Sequence, residues 1–416
     1  MAKQTVLFLC AETFPPPYSF LENVFNRLLG ERGFQTVWVM PSLEMNGIEE
    51  IEWAGSPVIL IPKIRPESII DLGRCYWQHL QWIKRAASLA VKQYGPFQMF
   101  QVRDDPAMAF VTWRLAIRFE TPWVYQISHL KEEETMMYSR MRIYGSPLKN
   151  LIKGAVGLFL RNLLLRRCDL VFPISEQMKE TLSRYRVAQE SMVPLTEGVD
   201  ASSDPKRFDD EAQIIRERLG FGAKKIVIYV GTMSRFRQLD FLLKAFKLVL
   251  AQHSDAQLLM VGDGRTSEDV EWLKREAERL ALKENVTVTG WIPKAKIPAY
   301  IRISHLGVSP VPINRIYVNS SPIKLLEYLA LGIPAVASDI PEQRKVIQES
   351  GGGMCVPWNV AEFADGITSI LNLTQSERCE MGQHGRAWVQ KNRDFSILAA
   401  KVYEAFEGML SARNDE

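Results

Sequence analysis

Short, almost unbroken apolar runs punctuate the first half of the chain: VLFLC at 6–10, TVWVM at 36–40, PVILI at 57–61, WVYQI at 123–127 and LVFPI at 170–174. Between them lie longer stretches in which apolar residues recur at helical period, and this alternation predicts βαβ units. The runs are apolar at successive rather than alternate positions, as expected for central strands of a parallel sheet covered by helices on both faces. The second half repeats the pattern in KIVIYV at 225–230, QLLMVG at 257–262, NVTVTG at 285–290, LGVSPV at 306–311, PAVAS at 334–338 and GMCVP at 353–357. The predicted fold class is α/β, with two doubly wound Rossmann-like domains facing across a cleft.

Residues 1–200 form the expected N-terminal domain and 225–385 the C-terminal one. Residues 201–224, a Ser/Asp/Pro/Lys-rich stretch followed by a charged helix and a glycine turn, read as the linker. The tail, 375–410, reads as two helices broken at 392–394, and the C-terminal segment 386–416 is expected to pack back across the domains. Ligands of open α/β sheets bind beyond the carboxyl ends of the strands, so chemistry is to be sought in the loops that follow them.

With 416 residues and 47% apolar content, the chain can fill two cores, which excludes a disordered or disulfide-held scaffold. The 51 Lys plus Arg nearly balance the 48 Asp plus Glu, which argues against nucleic acid as the main partner. Five cysteines without a CxxC pair suit a reducing compartment. No apolar run reaches the roughly 20 residues of a membrane span, so a cytoplasmic protein is expected, soluble or peripheral at the inner face of a membrane.

The segment NSSPIKLLEYLALGIPAVASD, 319–339, carries the most chemistry. Ser321 before Pro322 is a helix-start signal, with Ser as N-cap and Pro in the first turn, and Gly332 marks the stop. Leu325, Leu326 and Leu329 share an apolar face, whereas Lys324, Glu327 and Tyr328 fall on another. Such a helix start offers amides of Ser321, Ile323 and Lys324 and a positive dipole end to a phosphate. Alone, the segment reads more readily as an ordinary capped amphipathic helix than as a phosphate site. After KIVIYV, however, Arg235 and Arg237 lie in a strand-to-helix loop, and two guanidiniums beside a helix start suit a diphosphate.

These residues resemble the donor-binding domain of the retaining glycosyltransferases of family 4, which have the GT-B fold. The matching stretches are YVGTMSRFRQLDFLLKAF, LLMVGDGR, VTVTGWIPKAKIPAYI, GVSPVPI, SPIKLLEYLALGIPAVASD and SGGGMCVPWNVAEFADGI, in the family's order, over most of 225–372. The first half matches through RRCDLVFPISEQMKE, MVPLTEGVD and PWVYQISHL. The resemblance implies that Glu327 bonds the nucleotide ribose and that Arg237, with Arg235 nearby, contacts phosphate. It further implies that the backbone of Ser320, Ser321, Pro322, Ile323 and Lys324 holds the diphosphate and the backbone near Ile292 meets the base. His129 would touch the transferred sugar, which makes His129, Arg237 and Glu327 the implied catalytic set.

The chain departs from the family pattern in places. Asn319 stands where the family has the first acid of its E-x7-E motif, so the group expected at the donor sugar is neutral. The first loop, ETFPPPYSFLENVF, lacks the family's Gly-Gly pair. Neither a DxD motif nor a His/Cys/Asp cluster at ligand spacing is present, and metal-independent transfer without a cofactor agrees with the resemblance.

From Met141 to Cys168 the chain carries Arg142, Lys149, Lys153, Arg161, Arg166 and Arg167 and no acid. This Leu-rich, basic stretch (141–168) suits an anionic membrane surface or a lipid-linked acceptor, or else a core-packed helix with a solvated basic face. The reading that emerges is a retaining hexosyltransferase that moves a sugar from a UDP- or GDP-type donor to a saccharide or lipid-linked acceptor in bacterial-type cell-surface polysaccharide synthesis. The alternatives are a nucleotide-sugar 2-epimerase-like isomerase and a non-catalytic nucleotide-sugar-binding subunit.

Overall fold

The computed structural model describes residues 3–16, 19–64 and 70–414, so Pro17 and Tyr18 of the first loop lie outside it. The chain divides into two compact units, 1–196 with 395–416, and 197–394.

The first unit holds a seven-stranded sheet of β1 (Gln4–Cys10), β2 (Phe34–Ser42), β3 (Glu49–Trp53), β4 (Ser56–Pro62), β5 (Met99–Arg103), β6 (Trp123–Ile127) and β7 (Leu170–Pro173). Its order is β3-β4-β2-β1-β5-β6-β7, parallel except for the edge strand β3, which runs antiparallel to β4. β3 and β5 are absent from the apolar runs above. β3 is mostly polar, EEIEW, as an edge strand tolerates, and β5 buries Gln101 and Arg103 among apolar neighbours. One face of the sheet packs Phe8 on Trp38, ring centres 4.5 Å apart. The helix Phe395–Asn414 closes that core with Leu398, Ala399, Val402 and Phe406.

The second unit holds six parallel strands, β8 (Lys225–Val230), β9 (Ala256–Val261), β10 (Val286–Val288), β11 (Leu306–Ser309), β12 (Ala335–Ser338) and β13 (Gly353–Val356). Their order is β10-β9-β8-β11-β12-β13. The chain winds outward from β8 to β10 and then returns to the other side of β8, so the topological switch point lies between β8 and β11. Along β8, Ile226, Ile228 and Val230 enter one core and Val227 and Tyr229 the other. This double burial is why the strand is apolar at every position from Ile226 to Val230. Residues 201–224 also belong to this unit: Ala201, Ala212, Ile215 and Phe221 are buried in its core, and Arg216 donates to the carbonyls of Gly222, Lys224 and Ile303.

Among the described residues no helix is long and apolar enough to cross a membrane. A methyl group at Gly307 in β11 would stand 2.3 Å from the ring of Tyr328. Gly307→Ala is therefore expected to destabilise the second unit by about 1–3 kcal/mol, measured by urea unfolding. An unchanged midpoint would contradict this packing.

Candidate active site

The loops leaving β8 and β11 at the switch point define the crevice of the second unit. After β8 the chain turns at Gly231, whose φ is +139° and whose amide donates to Val261 O at 2.9 Å. Gly262, φ +137°, backs onto it, and a Cβ there would lie 2.3 Å from the Gly231 carbonyl oxygen. Only glycine at both positions lets the two loops meet backbone to backbone. A single 3-10 turn, Arg235–Arg237, follows before the helix Asp240–Gln252, with Phe236 buried between the two arginines.

The arginines diverge. The Arg237 guanidinium carbon lies 5.7 Å from the Tyr317 ring centre, towards the loop after β11. That of Arg235 lies 6.0 Å from the ring of Trp272, in the helix Ser267–Arg279 after β9, on the opposite side of β8. Arg237 rather than Arg235 is thus turned to the switch point.

After β11 the chain makes a 3-10 turn, Tyr317–Asn319, and enters the helix Ile323–Ala330. The sequence pattern predicts Ser321 as N-cap; instead the cap residue is Pro322, and no side chain caps this end. The reason is that the Ser321 hydroxyl is engaged elsewhere, accepting the Glu197 amide at 3.3 Å. Ser320 Oγ donates to Tyr317 O, and Asn319, almost wholly buried, donates from Nδ2 to Arg315 O, each at 2.7 Å. These three side chains bond to the protein's own backbone. Pro322 and Ile323 are half-buried, and Ile323, like Ile292, packs against the core.

Tyr328 corrects the expected helix face: it points into the core, away from Lys324 and Glu327. Its hydroxyl accepts the Val230 amide at 2.8 Å and donates to Val308 O at 3.3 Å. A large ring belongs in the core, and a strand-end amide and carbonyl satisfy its polar tip. The helix is thereby fastened to the ends of β8 and β11.

Lys324 and Glu327 stay half-buried on the crevice side. The Lys324 ammonium lies 5.1 Å from the Tyr229 ring centre. Burial and then the Arg237 charge push its pKa well below the ordinary lysine value, with Glu327 opposing them. Glu327 is raised by burial, while Lys294 and Lys324 pull it down. Arg237 and Glu327 therefore act on Lys324, and Lys294 and Lys324 act on Glu327. Lys294 goes unnoticed in the sequence because it lies two residues past Ile292 in a plainly exposed turn; its position in a loop after a strand was the available signal.

In the first unit His129 follows β6, with Nε2 3.3 Å from Glu134 Oε1. Its neighbour Ser128 is held by Asp104 at the end of β5, the Ser128 amide donating to Oδ1 at 2.7 Å and its hydroxyl to Oδ2. Burial pushes the Asp104 carboxyl up, but Lys131, Arg103 and the two Ser128 bonds prevail and hold it below its ordinary value. The ends of β5 and β6 are thus cross-linked next to His129 in the chain.

Residues 211–388 match the sequence model of the family described as glycosyl transferases group 1. An alpha-D-kanosaminyltransferase of Streptomyces kanamyceticus is 22% identical over 303 residues, 70% of this chain and 72% of that protein. A GDP-mannose-dependent alpha-(1-6)-phosphatidylinositol monomannoside mannosyltransferase of Mycobacterium tuberculosis is 26% identical over 260 residues, 61% of this chain and 66% of that one. The chain thus spans about two-thirds of the length of these curated relatives. The sucrose-phosphate synthase of Thermosynechococcus elongatus superposes with a TM-score of 0.75 at 18% identity, covering 99% of this chain and 100% of that one. The two parallel-sheet α/β units are of the GT-B class, and the family match together with the named transferases supports a group 1 glycosyltransferase.

Proposed function

We propose that the chain transfers a hexose-like sugar from a nucleotide-diphosphate donor to a saccharide or lipid-linked acceptor in cell-surface glycan synthesis, with retention and without a metal. The observation that carries this reading is the Arg237 and Lys324 pair beside an uncapped helix start, where burial and the neighbouring guanidinium already disfavour the ammonium. Like charges kept together at such a cost are characteristic of a site made for an anion. Of the two relatives, one is named for the kanosaminyl sugar it transfers, which supports glycosyl transfer, and the other for a phosphatidylinositol monomannoside, which supports a lipid-linked acceptor. Retention rests on the family resemblance.

Breaking the bond between the anomeric carbon and the diphosphate oxygen leaves the electron pair on the diphosphate and positive charge on the sugar. The acceptor hydroxyl oxygen forms the new bond to the anomeric carbon and passes its proton to the departing diphosphate. Arg237, Lys324 and the first amides of the helix Ile323–Ala330 stabilise the departing diphosphate more than the bound donor, and so accelerate the step. Glu327 accepts from the ribose hydroxyls; burial raises its carboxyl above the ordinary value, and Lys294 and Lys324 oppose that rise. His129 contacts the sugar, and the Glu134 contact orients its ring.

Three outcomes are expected. UDP or GDP raises the melting temperature of the wild type, and Glu327→Ala weakens the nucleotide by roughly tenfold to a hundredfold; a full shift in the variant contradicts the ribose assignment. His129→Ala lowers kcat roughly a hundredfold while leaving nucleotide binding intact, followed as nucleotide release from a donor panel; full turnover contradicts its role.

The third concerns Lys324. Because its folded pKa lies below the unfolded one, the unfolded state binds more protons between the two values, and stability rises with pH across that window. Lys324→Met is expected to raise the melting temperature of the unliganded protein at neutral pH, to flatten that rise and to abolish most of the nucleotide-induced shift. Nucleotide affinity in the wild type falls as pH climbs through the Lys324 pKa, since the anion favours the charged form. An affinity independent of pH up to the ordinary lysine value of 10.5 would contradict the assignment.

A further inference from the structure

The helices Lys131–Met141 and Pro147–Leu165 of the first unit form a hairpin whose second member is turned inside out. Its inward face carries Asn150, Gly154, Gly157 and Arg161. A Cβ on Gly154 would lie 2.8 Å from the Glu132 carbonyl oxygen and one on Gly157 2.9 Å from Glu132 Cγ, so the helices touch closely there. Arg161, 1% exposed, is held by Glu132 at 2.7 Å and by both oxygens of Glu133 at 2.7 Å. It belongs to the interior, not to the basic surface that the sequence suggests.

The outward face is the apolar one. Leu148, Leu151, Ile152, Val156 and Phe159, spaced by helical turns, are all exposed, Phe159 by 68% and Leu148 by 57%. A helix facing water normally shows the reverse arrangement. The charge around this face is of one sign. Arg142, Lys153, Arg166 and Arg167 are exposed, and no acid occurs between Met141 and Cys168. Arg166 and Arg167 donate to the carbonyls of Tyr185 and Leu163, contacts that leave their charge unneutralised. The acids of the hairpin nearest to it, Glu132 and Glu133, are directed inward onto Arg161.

We propose that this face docks on an anionic lipid bilayer. The five apolar side chains enter the boundary between headgroups and acyl chains, and Arg142 and Lys153 lie among the headgroup phosphates. A second copy of the chain would bring two basic rims together, which repel, and the apolar centre does not suit a polyphosphate backbone. The inference is independent of the donor site and survives or fails separately from it.

The test is co-sedimentation of the full chain with phosphatidylcholine vesicles with and without phosphatidylglycerol. Binding is expected with phosphatidylglycerol and is expected to weaken as salt rises. The Leu151→Ser, Val156→Ser, Phe159→Ser triple variant should lower partitioning at least about tenfold. Arg142→Gln and Lys153→Gln should each lower it about fivefold. All five substituted side chains are exposed, so the changes leave the core untouched, and an unaltered circular dichroism spectrum and nucleotide-induced melting shift check the fold. Absence of binding to phosphatidylglycerol vesicles, or equal binding by the serine variant, overturns the proposal. So does a dimer in sedimentation velocity that the serine variant dissolves, because it would assign the face to a second copy.

Discussion

Two cations, Arg237 and Lys324, share a partly buried crevice at the switch point of the second sheet, and most of the surrounding architecture serves to hold them there. Left to solvent, such side chains would separate and hydrate. Here aromatic faces lie close to both, Tyr317 to the guanidinium and Tyr229 to the ammonium, and burial together with the Arg237 charge lowers the lysine below its ordinary value. A fixed positive site of this kind needs little reorganisation when negative charge develops against it, which is the physical basis of electrostatic catalysis.

The scaffold supplies the rigidity. Strand β8 is buried on both faces, so its carboxyl end is a fixed point, and Gly231 and Gly262 allow the loops that leave β8 and β9 to touch. Tyr328 fastens the helix that carries Lys324 and Glu327 to the ends of β8 and β11, through a space that exists because residue 307 has no side chain. A hydroxyl buried in the core therefore governs the position of charges in the crevice, although it is remote from any ligand chemistry itself.

Much of this was legible from sequence wherever burial alone decides the residue type. The runs that become β1, β2, β4, β6 to β9 and β11 to β13 are apolar because both their faces are covered, and the segments after β8 and β11 hold Arg237 in a turn and Lys324 and Glu327 in a helix. β3 and β5 escaped because an edge strand can be polar and because Gln101 and Arg103 interrupt the apolar run although both are buried. Local rules failed where a distant group competed: Ser321 is diverted from its cap by the amide of Glu197, and Asn319 by the carbonyl of Arg315. The face of Tyr328 and the inward turn of Arg161 were hidden for the same reason, since their partners Val230, Glu132 and Glu133 are adjacent only in the fold.

The central claim, that a diphosphate completes the Arg237 and Lys324 site, is tested most directly by a crystal structure of the protein with UDP or GDP. The account requires phosphate oxygens within about 3 Å of the Arg237 guanidinium, the Lys324 ammonium and the first amides of the helix Ile323–Ala330, with the ribose hydroxyls on Glu327. A nucleotide bound elsewhere, or a crevice at the switch point filled by the protein's own side chains, would contradict it.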